Sequence, residues 1–432
     1  MIVAIALLAS TPVVTVDGQR VAGISSATHR RFLGIAYAVA PVGERNGRPP
    51  QRYHPRQSRR ALAFGASCSQ TLSPNGFGPW TKEFVVSGPV SDDCLFLNVW
   101  APKRAKGAPI LFWIYGGGFV SGSGSVPIYD GSTFAHQGVI VVTVNYRLGE
   151  AGFSQSEKAP PNLGVLDLVE ALQWVRRNAK GFGGDPQRVT IAGQSAGAML
   201  IHTLLAMPAA KGLFDRAIME SGLPPEAGAP GARLQLTPDL PKSPPLAWHD
   251  GTVSDVPILI GMTNDETSAF RGDRDPRAAP ANCGAAGPAL LAGGLSSRDA
   301  ASWCGRQALL DWWKDRSPHH RSPIYAYLFA HIPPGPEQAH WGAFHSSEIP
   351  YVFGSLASTS LRPYAPVDYR ISKQMSAAWV RFINGRAPWP SLTKNKTQLQ
   401  EFCRRSKMVD VISPVVGQLF KRLPVKNTAL FK

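Results

Sequence analysis

Charge is what this chain has least of. Asp, Glu, Lys and Arg make up 17% of its 432 residues, against 44% hydrophobic residues. That balance excludes a disordered chain, which lacks the apolar content to offset its conformational entropy, and the length allows a large buried core. Acids are the scarcer sign, 29 against 45 Lys and Arg, for a net charge of +16. A basic surplus can serve nucleic acids or membrane surfaces. Here the cations are scattered, with short clusters at 56–60 and 404–407, and no zinc-finger or RNP-type signature accompanies them. The surplus therefore reads as a basic surface with no nucleic-acid partner. No apolar run reaches the ~18 residues a membrane span needs, so no stable membrane insertion is expected. No internal repeat is present, which excludes solenoids and propellers. Five cysteines occur without a Cys-x-x-Cys, against a zinc ribbon or redox motif. Cys68 with Cys94 and Cys283 with Cys304 are neighbours that could pair, leaving Cys403 over; two disulfides would fit an oxidising compartment, secreted or periplasmic.

Residues 1–10 are apolar without a basic flank. They read as the end of a signal peptide or as a buried N-terminal strand, ahead of one catalytic domain over 11–432. Alternation over 12–22 suggests a hairpin turning at Asp17-Gly18. Residues 94–100, then the apolar runs 108–115 and 139–146, read as strands, the last two covered on both faces. Helical spacing follows over 167–178, with Leu168, Leu172 and Val175 on one side. Strands are expected at 188–193, 216–221, 256–262 and 324–330, and helices at 196–207, 300–313 and 368–384. Alternating strands and helices imply an α/β fold with a doubly wound, mostly parallel sheet and helices on both faces. Residues 222–250 hold seven prolines and read as an extended surface connection. Residues 272–297 and those after 413 carry no pattern.

The chemistry begins at Gly193-Gln194-Ser195-Ala196-Gly197. A β-branched strand runs into Gly-x-Ser-x-Gly and small residues follow, the context of a nucleophile elbow. Gly193 and Gly197 let strand and helix close on the serine without a Cβ clash. The amide after the serine, that of Ala196, is then free to bind an oxyanion. Gly116-Gly117-Gly118 ends a buried strand and offers further side-chain-free amides.

Serine needs a base, and the base an orienting acid, in chain order Ser, acid, His at strand C-termini. His29, His54 and His136 precede the serine. His202 falls in the following helix, where packing is its simpler role. His331, His340 and His345 all follow the 324–330 strand, and small neighbours give His345 backbone room. Asp265 and Glu266 follow the 256–262 strand. Adjacent residues are expected to point apart, so only one of them should face the histidine, and spacing leaves both open.

These motifs together resemble the type-B carboxylesterase/lipase family, the carboxylesterase–cholinesterase branch of the α/β-hydrolases. The resemblance is carried by Ser91-Asp92-Asp93-Cys94-Leu95-Phe96-Leu97-Asn98-Val99, Tyr115-Gly116-Gly117-Gly118-Phe119, Asn145-Tyr146-Arg147-Leu148-Gly149, the stretch from Phe182 through the elbow, Asn264-Asp265-Glu266, and His345-Ser346-Ser347-Glu348. It implies a serine esterase with Ser195, Glu266 and His345 as triad and Gly117, Gly118 and Ala196 as oxyanion donors. It further implies a loop disulfide Cys68–Cys94, worth roughly 3 kcal/mol by chain entropy, and Ser221 as a support near the acid. No metal or organic cofactor is implied, and the partner is a small-molecule carboxylic ester. Amide, carbamate or lactone hydrolysis is the alternative use of such a triad; a non-catalytic binding relative is disfavoured because all three triad residues are kept. The chain departs from the family at Gln194, expected beside the triad, where many relatives carry glutamate and a neutral residue removes one nearby negative charge, and in a shortened stretch between Ser221 and Glu266 that implies a reduced lid over 223–235 and an open site. Trp80 does not match the position of a choline-binding tryptophan, which disfavours a cholinesterase.

Overall fold

The computed structural model describes residues 11–153, 160–228, 232–270, 280–284, 286–316, 320–358 and 361–421. Residues 1–10, read above as a signal-peptide remnant or strand, lie outside them.

Eleven strands form one sheet: β1 (Ile24–Ser25), β2 (His29–Ala36), β3 (Phe96–Pro102), β4 (Ala108–Ile114), β5 (Ile140–Val144), β6 (Gly184–Gln194), β7 (Arg216–Glu220), β8 (Ile258–Thr263), β9 (Ile324–Phe329), β10 (Gln398–Phe402) and β11 (Lys407–Asp410). Their order across the sheet is β11-β10-β9-β8-β7-β6-β4-β5-β3-β2-β1. From β5 to β10 every pairing is parallel; β3 and the strands beyond it, and β11 on the other edge, pair antiparallel. The doubly wound, mostly parallel reading holds. Every residue of β4, β5, β8 and β9 is buried, which is why these segments are continuous apolar runs rather than alternating ones.

Direction reverses at β4. The chain leaves β4 for β5 on one side and returns to β6 on the other. That switch opens a crevice at the carboxyl ends of β4 and β6, where the glycine triplet and the elbow both emerge.

Helix α1 (Leu163–Asn178) buries Leu168, Leu172, Trp174 and Val175. Its Asp167, fully buried, takes a two-pronged ion pair from Arg147, Nε to Oδ2 at 2.8 Å and Nη2 to Oδ1 at 2.6 Å. The pair ties the segment after β5 to α1. Removing either partner would strand a buried charge, a loss of about 3–5 kcal/mol. Helix α2 (Ala196–Ala206) follows the elbow, α3 (Ser297–Arg316) packs beyond β8, and α4 (Pro366–Ile383) lies against the core through Ile371, Met375 and Trp379.

The N-terminal hairpin pairs Val13–Val16 with Gln19–Ala22 through Asp17 and Gly18, both at positive φ. Cys68 is bonded to Cys94 and Cys283 to Cys304.

Some elements lie where no pattern was read. The strands β10 and β11 turn at the basic cluster 404–407; β10 is held by pairing onto β9 and β11, the edge strand, by pairing onto β10, with only Leu399 and Phe402 buried in β10. Helix Pro414–Lys421 covers a satellite core of Cys283, Ala286, Leu290, Ala300 and Cys304 with Leu419 and Phe420. Among the described residues of the 222–250 connection the one helix is Pro244–His249, which inserts Trp248 into the core. Among the described residues no helix covers 223–228 or 232–235.

Candidate active site

Ser195 sits between β6 and α2 at φ 57°, ψ −125°. This is a strained conformation for a residue with a Cβ, and it is held by hydrogen bonds on both sides. The Ser195 amide donates to the Glu220 carbonyl at 2.8 Å, and the Ser195 carbonyl accepts from Met199 at 3.0 Å. A Cβ on Gly193 would lie 2.6 Å from the Ile114 carbonyl oxygen, and one on Gly197 would strike that same oxygen. The two glycines of the motif are therefore demanded by the close approach of β4 to the turn.

His345 and Glu266 meet. The ring Nδ1 hydrogen-bonds Glu266 Oε1, and both residues are buried. Glu266 Oε2 accepts from the Thr263 amide at 3.0 Å, from the Thr263 hydroxyl and from Ser221 Oγ at 3.2 Å. Burial on its own raises the Glu266 pKa, but the facing imidazole and the bonds from His345 and Thr263 outweigh it and hold the carboxyl below its usual range. An ionised Glu266 fixes the ring hydrogen on Nδ1 and leaves a lone pair on Nε2.

Asp265 also serves the histidine, by another route. Its Oδ2 accepts from the Ala343 amide at 2.7 Å, its own amide donates to the Ala343 carbonyl at 3.0 Å, and Arg298 pairs with it at 3.2 Å. The expectation that only one of the two acids faces the histidine is thus refined: Glu266 takes the ring, and Asp265 takes the backbone two residues earlier. The other histidines fall elsewhere. His331 Nε2 is held by Asp368 at 2.7 Å, His340 stacks edge-on against Trp341, and His202 accepts from Trp248 Nε1 at 2.9 Å in the core.

The amides of Gly117 (φ 114°) and Gly118 (φ 62°) make no backbone hydrogen bond among the described residues. Ala196 opens α2, so its amide has no earlier turn to bond. All three emerge at the switch crevice beside Ser195. A Cβ on Gly117 would strike the Ser121 carbonyl, whereas one on Gly118 would meet nothing within 4 Å.

Behind the histidine lie two more buried acids. Glu220 accepts from Trp379 Nε1 at 2.8 Å, and Glu348 accepts from Ser221 Oγ at 3.3 Å. Burial raises the Glu220 pKa to about 8. Burial, then the charges of Glu220 and Glu266, put that of Glu348 well above the usual range. The native protein thus keeps a proton on Glu220 up to about pH 8 that the unfolded chain releases near 4.5. Its contribution to stability is greatest below the unfolded value and declines as pH rises through that window. Glu220→Gln, neutral at every pH, is expected to match the parent in melting temperature near pH 4.5 and to exceed it progressively towards pH 8.5. Thermal scans across that range check this; a pH-independent difference would count against it.

Ser195, Gln194, His345 and the glycine triplet open into a cavity of about 780 Å³. One wall is aromatic. Phe77 packs at a tilt against Trp80 (5.0 Å between centroids), Trp80 against Phe270 (5.6 Å) and Phe270 against the His345 ring (5.0 Å). Phe77 and Trp80 belong to the Cys68–Cys94 loop, which Arg362 pins by donating to the carbonyls of Pro79 (2.6 Å) and Pro334 (3.0 Å). Trp80 therefore does reach the site, although it does not match the position of a choline-binding tryptophan. Gln194 was expected beside the triad, but neither its contact with the histidine nitrogen nor that of Phe270 with the ring was legible; nothing in local sequence encodes a contact across 75 or 151 residues. Among the described residues, no group of three or more His, Cys, Asp or Glu side chains is arranged to hold a metal ion.

The fold and this crevice define an α/β-hydrolase. The model of the carboxylesterase family matches residues 7–230 and 296–413, leaving Glu266 in the stretch between them. The para-nitrobenzyl esterase of Bacillus subtilis is 33% identical over 88% of this chain and 92% of its own length. The fumonisin B1 esterase of Sphingopyxis macrogoltabida is 33% identical over 83% and 81%. A mouse cholinesterase is 40% identical over 49% of this chain and 37% of its own. A solved para-nitrobenzyl (PNB) esterase structure superposes with a TM-score of 0.81 at 28% identity, covering 96% of this chain and all of that one. The chain belongs to the carboxylesterase family, and its reaction is the hydrolysis of carboxylic esters.

Proposed function

We propose that hydrolysis runs through a Ser195–His345–Glu266 triad and an acyl-enzyme. Ser195 Oγ attacks the ester carbonyl as its proton passes to His345 Nε2. The tetrahedral oxyanion is bound by the amides of Gly117, Gly118 and Ala196. His345 then protonates the leaving alcohol, and the acyl-Ser195 ester forms. Water, deprotonated by the same nitrogen, attacks that ester and releases the carboxylic acid. Glu266 orients the ring and stabilises its cation throughout. The observation that carries this reading is a strained serine opening into the same cavity as an imidazole whose far nitrogen faces a buried, fully hydrogen-bonded carboxylate.

The substrates are proposed to be medium to bulky esters, with an apolar group laid along Trp80 and Phe270. The 780 Å³ cavity and the shortened cover after Ser221 support this, as do relatives named for para-nitrobenzyl and fumonisin B1 esters. Two disulfides support a secreted or periplasmic location. Parallel assays on ethyl and benzyl esters of one acid, with the matching amides, test the reading. Benzyl ester is the expected best substrate. Trp80→Ala is expected to raise its KM about tenfold, in line with the 1–3 kcal/mol of one apolar contact, while leaving the ethyl ester within twofold. Faster turnover of the amides, or equal KM changes for both esters, would contradict it.

A further inference from the structure

The acceptor nitrogen of His345 is already occupied. Nε2 lies 3.0 Å from Nε2 of the Gln194 side-chain amide, whereas no hydrogen bond joins it to Ser195 Oγ among the described residues. Gln194 ends β6, immediately before the serine, and is 2% exposed. Its side-chain oxygen lies against Gly116, where an added Cβ would approach it to 2.9 Å.

The chemistry of the ring makes this contact consequential. Glu266 only accepts, so the ring hydrogen is on Nδ1 and Nε2 offers a lone pair. A glutamine amide can donate to that lone pair; a glutamate carboxylate cannot. Two donors, the Gln194 amide and the Ser195 hydroxyl, therefore compete for one acceptor.

We infer that Gln194 is a positioning residue that holds the neutral His345 ring through Nε2 in the resting enzyme and yields that lone pair to Ser195 when ester enters. This rests on the triad reading above. A donor at Nε2 favours the uncharged ring, the form that acts as base. A carboxylate there would favour the imidazolium instead. Among the described residues only Glu266 and Gln194 hydrogen-bond the ring. The other titratable groups around it are Asp265 on the Ala343 backbone, Arg298 paired to Asp265, Glu348 on the histidine's own segment, which faces Ser221, and Glu220, which accepts from Trp379; Phe270 is its apolar neighbour.

The test is the acidic limb of kcat/KM against pH for wild type, Gln194→Leu and Gln194→Glu. Leucine keeps the bulk and removes both donor and acceptor. The limb is expected at lowest pH with glutamine, higher with leucine and highest with glutamate, the last displaced by roughly one unit or more. Activity of the glutamate variant should recover on its alkaline plateau. Coincident limbs for glutamine and glutamate, or leucine below glutamine, would overturn the assignment; a merely structural role would lower all plateaus without this ordering. If neither variant folds, the ring ¹⁵N spectrum of Ser195→Ala decides. With the competing hydroxyl gone, Nε2 should still show a hydrogen-bonded acceptor shift, and a free-acceptor shift would overturn the proposal. Labelling by a p-nitrophenyl phosphonate separates the two readings: a wild-type protein not labelled at Ser195 loses the triad, whereas labelling with coincident limbs loses only Gln194.

Discussion

Ser195→Ala is expected to reduce ester turnover by roughly 10⁵–10⁶, with the melting temperature unchanged or raised. The magnitude follows from the nucleophile acting as a unit with its base, so that losing one member costs nearly as much as losing all. What survives is catalysis over water from the oxyanion amides and binding, on the order of 10³. Stability should hold because Ser195 Oγ makes no hydrogen bond among the described residues, and its φ of 57° is one that alanine tolerates no worse. The wild type should show a burst of p-nitrophenol from an activated ester whenever deacylation is slower than acylation, with the acyl mass on Ser195. The alanine variant should show neither. Retention of more than about a hundredth of wild-type activity would remove Ser195 from the role of nucleophile.

Glu266→Gln is expected to lower kcat by on the order of 10⁴ with little change in KM. An amide at this position can present its NH₂ to Nδ1, which favours the tautomer with hydrogen on Nε2, the wrong end of the ring for a base. It also removes the charge that stabilises the imidazolium. The neighbouring Asp265→Asn makes the control. Asp265 holds the Ala343 backbone and Arg298 rather than the ring, so a loss of roughly tenfold is expected, as for support at one remove from the chemistry. Kinetics on the two variants at one pH plateau separate them. Equal losses would mean that the acid role is shared; a larger loss at Asp265 would reverse the assignment.

The glutamate could not be chosen from spacing. Asp265 and Glu266 are adjacent just after β8, and spacing puts either carboxyl within reach of the ring. The family resemblance favoured Glu266. In the folded chain the choice has a visible cause: Thr263 and Ser221 converge on Glu266 Oε2 and aim its other oxygen at His345. The same applies to the histidine. His331, His340 and His345 follow one strand, and only contacts from other elements separate them, Asp368 on α4 taking His331.

The parallel sheet, the Gly-x-Ser-x-Gly turn and the glycine triplet at the end of β4 were legible because each is dictated locally. A strand covered on both faces must be apolar throughout, and a sharp strand-to-helix turn pressed against β4 must carry glycine on both sides of the serine. Both demands are written in consecutive residues. The strands β10 and β11 at one end of the sheet and the helix Pro414–Lys421 were not legible. Their structure comes from the surfaces they cover rather than from periodicity of their own.

By itself, then, the amino-acid order determined the fold class, the nucleophile turn and a short list of bases and acids. Tertiary structure supplied the contacts that aim Glu266 at the ring, and it alone put Trp80 and Phe270 in the cavity wall and Gln194 against His345 Nε2. The reason is range. Burial and turn strain act between neighbours in the chain, whereas a hydrogen bond between residues 194 and 345 exists only once the carboxyl ends of β6 and β9 have been brought to the same edge of the sheet.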